Sequence, residues 1–286
     1  MRKNKNLTNI KNMMIELLMI FIGIICALIA SYYDIKTREV PDSLNYFLIS
    51  SAFILKIFQF LSFQDIKIIK IAIFSFLLFF SFSYLMYKTG QWGGGDVKLL
   101  AGLSILFASF SSDKFPFFVR LVLNLLIIGA VYGVVYLIVL MIKNFKIVQK
   151  EIDFKIKIFS LFLFLLAIFF LMSDFPFRLV YAFFFFIAAL YPSIKVTEKV
   201  CFEKYVNVGK LTEGDWLIDD VKKNGKIIVK KKKIGLTKED IRKLKEAKIK
   251  KVRIKEGIPF VPSIFLSVLF TLFYKELILL PLIYVQ

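Results

Sequence analysis

Gly93-Gly94-Gly95-Asp96-Val97-Lys98-Leu99-Leu100-Ala101 sets a glycine run and a carboxylate at the head of an apolar stretch, where a membrane-spanning segment begins. A lone carboxylate near hydrocarbon costs several kcal/mol, about 2.5 to 3.5 on the lenient insertion scale, so an acid at this depth is a functional candidate whose partner must be found. Asp34 is the expected partner, because it closes the first apolar segment behind Ser31-Tyr32-Tyr33.

Composition sets the solvent. Of 286 residues, 58% are hydrophobic and 34 are phenylalanine, against about 45–50% apolar residues in soluble domains. Apolar runs of about 20 residues, enough to cross about 30 Å of hydrocarbon, occupy 13–33, 41–63, 66–87, 116–142 and 259–285. The run 97–110 is shorter, and 156–172 and 177–192 flank a turn-like Ser173-Asp174-Phe175-Pro176. The chain reads as an α-helical polytopic membrane protein of about six to eight transmembrane helices. Arg2, Lys3, Lys5 and Lys11 precede the first run in the manner of a leader, but the run is too long and lacks a small-residue cleavage site, so it reads as a retained span.

With no histidine in the chain, Ser-His and Cys-His catalysis and the usual zinc centres are excluded. Cys26 and Cys201 frame neither a disulfide network nor a metal site. No cofactor and no metal are expected, and chemistry falls to Asp, Glu, Lys, Ser or Tyr. The net charge of +19 is concentrated in 222–255. Basic residues beside spans favour anionic lipid headgroups. These lysines alternate with strand-like apolar residues and no nucleic-acid motif accompanies them, so no nucleic-acid partner is expected.

Two crossings, 41–63 and 66–87, separate Asp34 from Asp96, so both acids belong on one side of the membrane. The loop 144–157 and the region after Ser193 are basic and share that side, whereas the loops around Asp65, Asp113 and Asp174 hold few cations. The positive-inside rule then turns the acids towards the cytoplasm, with the basic N-terminal tail as the exception. The expected organisation is a transmembrane bundle over 1–193, a small basic cytoplasmic α+β domain over 194–257 and a final transmembrane helix over 258–286. Within the domain, 206–209, 216–221 and 227–231 read as strands and Asn224-Gly225 as a tight hairpin. Thr237 and Asp240 form a capping box for a helix with Ile241, Leu244 and Ala247 on one face, and 251–255 is a last strand.

Two carboxylates held together cannot easily both ionise, so such a pair can work as acid and base upon one water, the chemistry of an aspartic peptidase. Asp34 stands at a helix end whose carbonyls disfavour negative charge, and Asp96 at a helix start whose N–H groups favour it. Gly93, Gly94 and Gly95 permit positive φ and close backbone approach. The plainer alternatives are an N-capping Asp96 and an Asp34 paired with Lys36 or Arg38. A transporter or channel could also use intramembrane acids, but it predicts repeated halves and more charges within spans than Glu16 and Glu276.

The segments from Asp34 through Lys36, Arg38, Pro41 and Asp42, from Gly93 through Asp96 and Lys98 to Ala101, and Glu256-Gly257-Ile258-Pro259-Phe260-Val261-Pro262-Ser263 resemble the type IV prepilin peptidases, especially the archaeal preflagellin peptidases. These are GxGD membrane aspartic proteases. The resemblance implies Asp34 and Asp96 as the catalytic pair, with Gly93, Gly94, Gly95, Lys36, Arg38, Pro41, Asp42, Lys98, Pro259 and Pro262 supporting the motif or the substrate. It implies removal of a short basic class III signal peptide from archaellin or pilin precursors at the cytoplasmic face. Paired cysteines of the bacterial members' loop are missing, so their N-methylation is not implied, and 156–192 is long beside the compact archaeal members.

Overall fold

The computed structural model describes residues 2–108, 117–232 and 235–273. The chain runs α1 (Arg2–Thr37), α2 (Asp42–Phe63), α3 (Ile66–Lys88), α4 (Gly94–Leu106), α5 (Phe117–Lys143), α6 (Phe145–Glu151), α7 (Phe154–Met172), α8 (Arg178–Phe202), then β1 (Glu203–Asn207), β2 (Trp216–Leu217), β3 (Val221–Lys223), β4 (Lys226–Val229), α9 (Lys238–Glu246), β5 (Lys251–Lys255) and α10 (Val261–Phe273). Among the described residues, six helices are long and apolar enough to cross a membrane: Ile10–Thr37 of α1, and α2, α3, α5, α7 and α8. The protein is a polytopic, mostly helical membrane protein. The expected last span continues past Phe273 into undescribed residues, which also include Asp113, Lys233 and Glu276.

Burial is inverted relative to a soluble fold. Phe21, Phe74, Leu77, Phe164 and Phe183 point outwards on the long helices, which is stable only where lipid replaces water. The interior is built around α4. Its 13 residues give a length of about 20 Å, less than a full span. Leu99, Leu100, Leu103, Ile105 and Leu106 are fully buried on it, packed among Leu48 and Ala52 of α2, Phe79 of α3, Met19 and Cys26 of α1 and Leu121 of α5. A helix enclosed by other helices has no need to match the bilayer thickness. The described part of the run expected over 97–110 is therefore an interior helix ending at Leu106, and residues 109 and 110 lie outside the described residues.

The α7–α8 hairpin turns at Ser173–Phe177, where Phe177 takes a left-handed φ of 58°. Its helices pack on each other through Phe170 stacked on Phe185 and Phe164 tilted on Phe186. Pro192 does not end α8, which continues to Phe202.

Beyond α8, β1, β5 and β2 form an antiparallel sheet in that order, with Val206 opposite Val252 and Leu217 opposite Ile254. β3 and β4 form a separate hairpin, and its Asn224-Gly225 turn has φ of 50° and 76°, the two positive values a type I′ turn demands. The strand expected over 206–209 lies earlier, because Val208–Lys210 coils into a 3-10 turn. That expected over 216–221 is divided between β2 and β3. Ile241 and Leu244 of α9 close the core against Leu217, Val229, Val252 and Ile254, while Ala247 falls on the helix cap.

The capping box at Thr237 forms as expected. Asp240 accepts from the Thr237 amide (2.9 Å) and from Lys232 Nζ (2.6 Å), and its own amide bonds Thr237 Oγ1 (3.2 Å). Burial alone raises the Asp240 carboxyl, but Lys232 and the Thr237 amide and hydroxyl outweigh it and hold it below its ordinary value. A lowered folded-state value means that the contribution is complete above the unfolded value of about 3.9 and is lost as pH falls through the folded one. Asp240→Asn should therefore cost about 1 kcal/mol near neutrality, read as faster hydrogen exchange of the α9 amides in the full chain. The gap from wild type should close below about pH 3.9.

Candidate active site

Asp34 lies in the last turn of α1 and is 6% exposed. Its Oδ2 accepts the Val261 amide of α10 at 2.8 Å, with the Phe260 amide acting on the same carboxyl. The carbonyls of α1 therefore do not decide its environment alone; the N-terminal N–H groups of a second helix point at it. Pro259 and Pro262 bracket this contact. Pro262, in the first turn of α10, removes an N–H that would have no intrahelical acceptor, and both prolines are buried.

Asp96 lies in the first turn of α4 and is 9% exposed. Its Oδ2 accepts the Gly93 amide at 2.9 Å, so the carboxylate also caps its own helix. Its charge and that of Asp34 act on one another. Spans α2 and α3, running out and back, deliver the two acids to the same end of the bundle.

The expected positive φ in the glycine run is not found. Gly93 caps α4 in extended geometry, with φ −78° and ψ 159°, and the left-handed residue is Gly90, with φ 73°. The run serves close approach instead, and chiefly at one position. A methyl on Gly95 would lie 3.0 Å from Val40 Cβ, whereas one on Gly93 would meet only Asp96 Oδ2 at 3.6 Å. Asn45, absent from the sequence-based candidates, is fully buried on α2 and donates to Gly95 O at 3.4 Å. Its Oδ1 is buried without a partner among the described residues.

The other candidates divide. Asp42 and Lys98 pair at 2.5 Å on the exposed side, tying α2 to α4 across the entrance of both helices, and Lys98 also lies over the Tyr46 ring. Pro41 opens α2 and its carbonyl accepts the Asn45 amide at 3.3 Å. Lys36 is exposed and turns back over Tyr32, away from the acids. Arg38 turns inwards to α5, where Nη2 donates to the Tyr136 hydroxyl at 2.8 Å. Trp92, before the glycine run, packs on Phe260 with ring centroids 5.1 Å apart.

The domain reaches this face too. Gly257 sits against the Trp216 ring, and Asp215 faces Glu39 and Glu256. Burial above all, then these two negative charges, raise the Asp215 carboxyl against the lowering effect of the Thr212 amide. Among the described residues no group of three or more His, Cys, Asp or Glu side chains is arranged to hold a metal.

Fold and site together define a polytopic membrane protein that brings two buried carboxylates, from different helices, to one end of the bundle. Residues 21–138 match the type IV leader peptidase family, and that segment carries Asp34, Arg38, Asn45, Gly95, Asp96 and Tyr136. The chain is 34% identical over 89 residues to the preflagellin peptidase of Methanococcus maripaludis, an alignment covering 31% of this chain and 38% of that protein. It is 36% identical over 95 residues to the prepilin peptidase EppA of Methanothermobacter thermautotrophicus, covering 33% of this chain and 24% of that protein. The chain thus spans well under two thirds of the length of these relatives. No solved structure matches it. The likeness read from the motifs is shown over this segment, and α6 to α10 lie outside the family match.

The Gly95 contact makes a specific prediction. Gly95→Ala should destabilise the bundle by about 1–3 kcal/mol through overpacking, and Val40→Gly, which removes the Cβ in contact, should cost less in the Gly95→Ala background than in wild type. Gly93→Ala should leave thermal unfolding in detergent close to wild type.

Proposed function

We propose that this chain is a membrane-embedded aspartic endopeptidase of the GxGD type, with Asp34 and Asp96 as its catalytic pair. The observation that carries this reading is the meeting of two buried carboxylates, each held by a backbone amide from a helix start. An amide bond fixes a carboxylate oxygen in direction without neutralising the pair, which leaves the remaining oxygens for a water and a peptide.

One carboxyl must be ionised and the other protonated for the reaction. Water adds its oxygen to the scissile carbonyl carbon and gives one proton to the ionised carboxylate. The carbonyl oxygen takes the displaced electron pair and the proton of the other carboxyl, forming a neutral tetrahedral diol. On collapse the C–N bond breaks, the nitrogen takes a proton from the newly protonated carboxyl, and a diol proton returns to the other. The products are an acid and an amine, and the dyad is restored.

The substrate class in this reading is a precursor with a short basic class III signal peptide ahead of an apolar helix, of archaellin or pilin type. Such a helix lies in the bilayer and presents its leader at the surface, at the depth of the pair. The bond must be extended before cleavage, because helical hydrogen bonds hide its amide. The positive-inside argument turns this end of the bundle to the cytoplasm, and the lysines of the appended domain then face anionic headgroups. The printed names of the two relatives, a preflagellin and a prepilin peptidase, support the same substrate class.

Purified chain in detergent, incubated with a tagged archaellin precursor, should release the leader. Asp34→Asn and Asp96→Asn, matched for expression and insertion, should each lower the rate by at least about 10³-fold. Retained cleavage in both variants would rule out this pair.

A further inference from the structure

Arg38 occupies a position whose backbone prefers glycine. It follows the last residue of α1 with φ 63°, and its amide closes the helix on Asp34 O at 3.0 Å. This left-handed cap is normally glycine because a Cβ is unfavourable there. An arginine in such a place is held for its side chain.

Tyr136 fixes that side chain in two ways. Nη2 donates to Tyr136 Oη at 2.8 Å, and the guanidinium lies over the Tyr136 ring, 5.8 Å from its centroid. The ring is itself stacked on Phe202 at the end of α8, with centroids 6.4 Å apart and planes at 7°, and on Tyr132 one turn earlier. Tyr132 interacts electrostatically with Tyr136, Asp34 and Arg38, and the Arg38 charge acts on Asp34. The other terminal nitrogen, Nη1, is buried and has no acceptor among the described residues. A buried cationic N–H without an acceptor is expensive, and a native protein that keeps one next to a reactive carboxylate keeps it for another state.

We infer that Arg38 is a further catalytic residue, whose Nη1 donates to the scissile carbonyl oxygen as negative charge gathers there, and that Tyr136 is the positioning residue that aims it. The inference rests on the endopeptidase reading. An acceptor that arrives only with substrate explains why Nη1 has none among the described residues. A donor aimed at an oxygen that becomes charged lowers the barrier more than it strengthens substrate binding. The planar fork suits this division of labour, one nitrogen to the tyrosine and one to the peptide, in a way that a lysine ammonium does not.

The test uses full-length protein in detergent micelles and a purified precursor with a basic leader ahead of an apolar helix. Arg38→Gly removes the side chain while giving the backbone its preferred residue, so the chain should unfold at or above the wild-type temperature. It should nevertheless lose about 10²-fold in kcat, with KM within about 3-fold, and millimolar guanidinium should restore part of the rate. Tyr136→Phe keeps the ring stack and should lose about 5- to 10-fold in kcat, and Arg38→Lys should remain well below wild type. Wild-type kcat in Arg38→Gly, a change confined to KM, or no response to guanidinium in a stably folded variant would each overturn the inference. If wild type does not cleave, or Asp34→Asn cleaves as wild type does, the endopeptidase reading fails and this inference falls with it.

Discussion

One hydrogen bond joins the first helix to the last described one: the Val261 amide donating to Asp34 Oδ2 at 2.8 Å. It links the last turn of α1 to the first turn of α10, separated by 227 positions. A carboxylate at the end of its own helix meets carbonyls that repel it, so it needs donors from elsewhere to be tolerated in the interior. α10 supplies them, and the rest of the site follows from that requirement. Phe260, carried to this point by the same turn, packs on Trp92 and so steadies the approach to the glycine run. The glycine run in turn brings Asp96 close to Asp34 by letting its backbone pass Val40.

The polar groups of the spans are consistent with this economy. Ser267 and Thr271 of α10 bond back to the carbonyls of Ser263 and Ser267, which lets small side chains face α5 without unpaired hydroxyls. Asn124 of α5 meets Thr271 Oγ1 at 2.9 Å. At the other end of α1 and α2, Asn12, Glu16, Lys56 and Gln59 form a connected network. These contacts hold α1, α2, α5 and α10 in fixed relation, and α1 and α10 are the helices that meet at Asp34.

How much of this could be read beforehand depended on whether the cause was local. Asn224-Gly225 and Thr237 with Asp240 work through neighbouring backbone, and they appear where their residues stand. The two acids were legible because apolar length and parity restrict where a carboxylate can go. The apolar run over 177–192 stops at Pro192, and a proline in a helix costs about 3 kcal/mol, yet the packed helix continues to Phe202. Of the two uses read for the glycine run, positive φ is not taken, whereas close approach is, at Gly95, where the crowding comes from Val40 in the α1–α2 connection. Asn45 leaves a faint signal, a polar side chain on the stripe that Leu48, Ala52, Lys56 and Gln59 continue along α2. Tyr132 and Tyr136, one turn apart on α5, leave another. The Val261 donor leaves none, because every residue but proline has an amide and only the fold decides what it meets.

The appended domain enters from α8 and leaves towards α10 at nearly the same point, where the Glu256 amide bonds Phe202 O at 2.9 Å. A segment whose two ends touch closes its own loop, so its length makes little demand on the scaffold that carries it. Topologically it is an insertion between α8 and α10. What the helices on either side require of it is its return of the chain to the proline-bracketed turn before Val261.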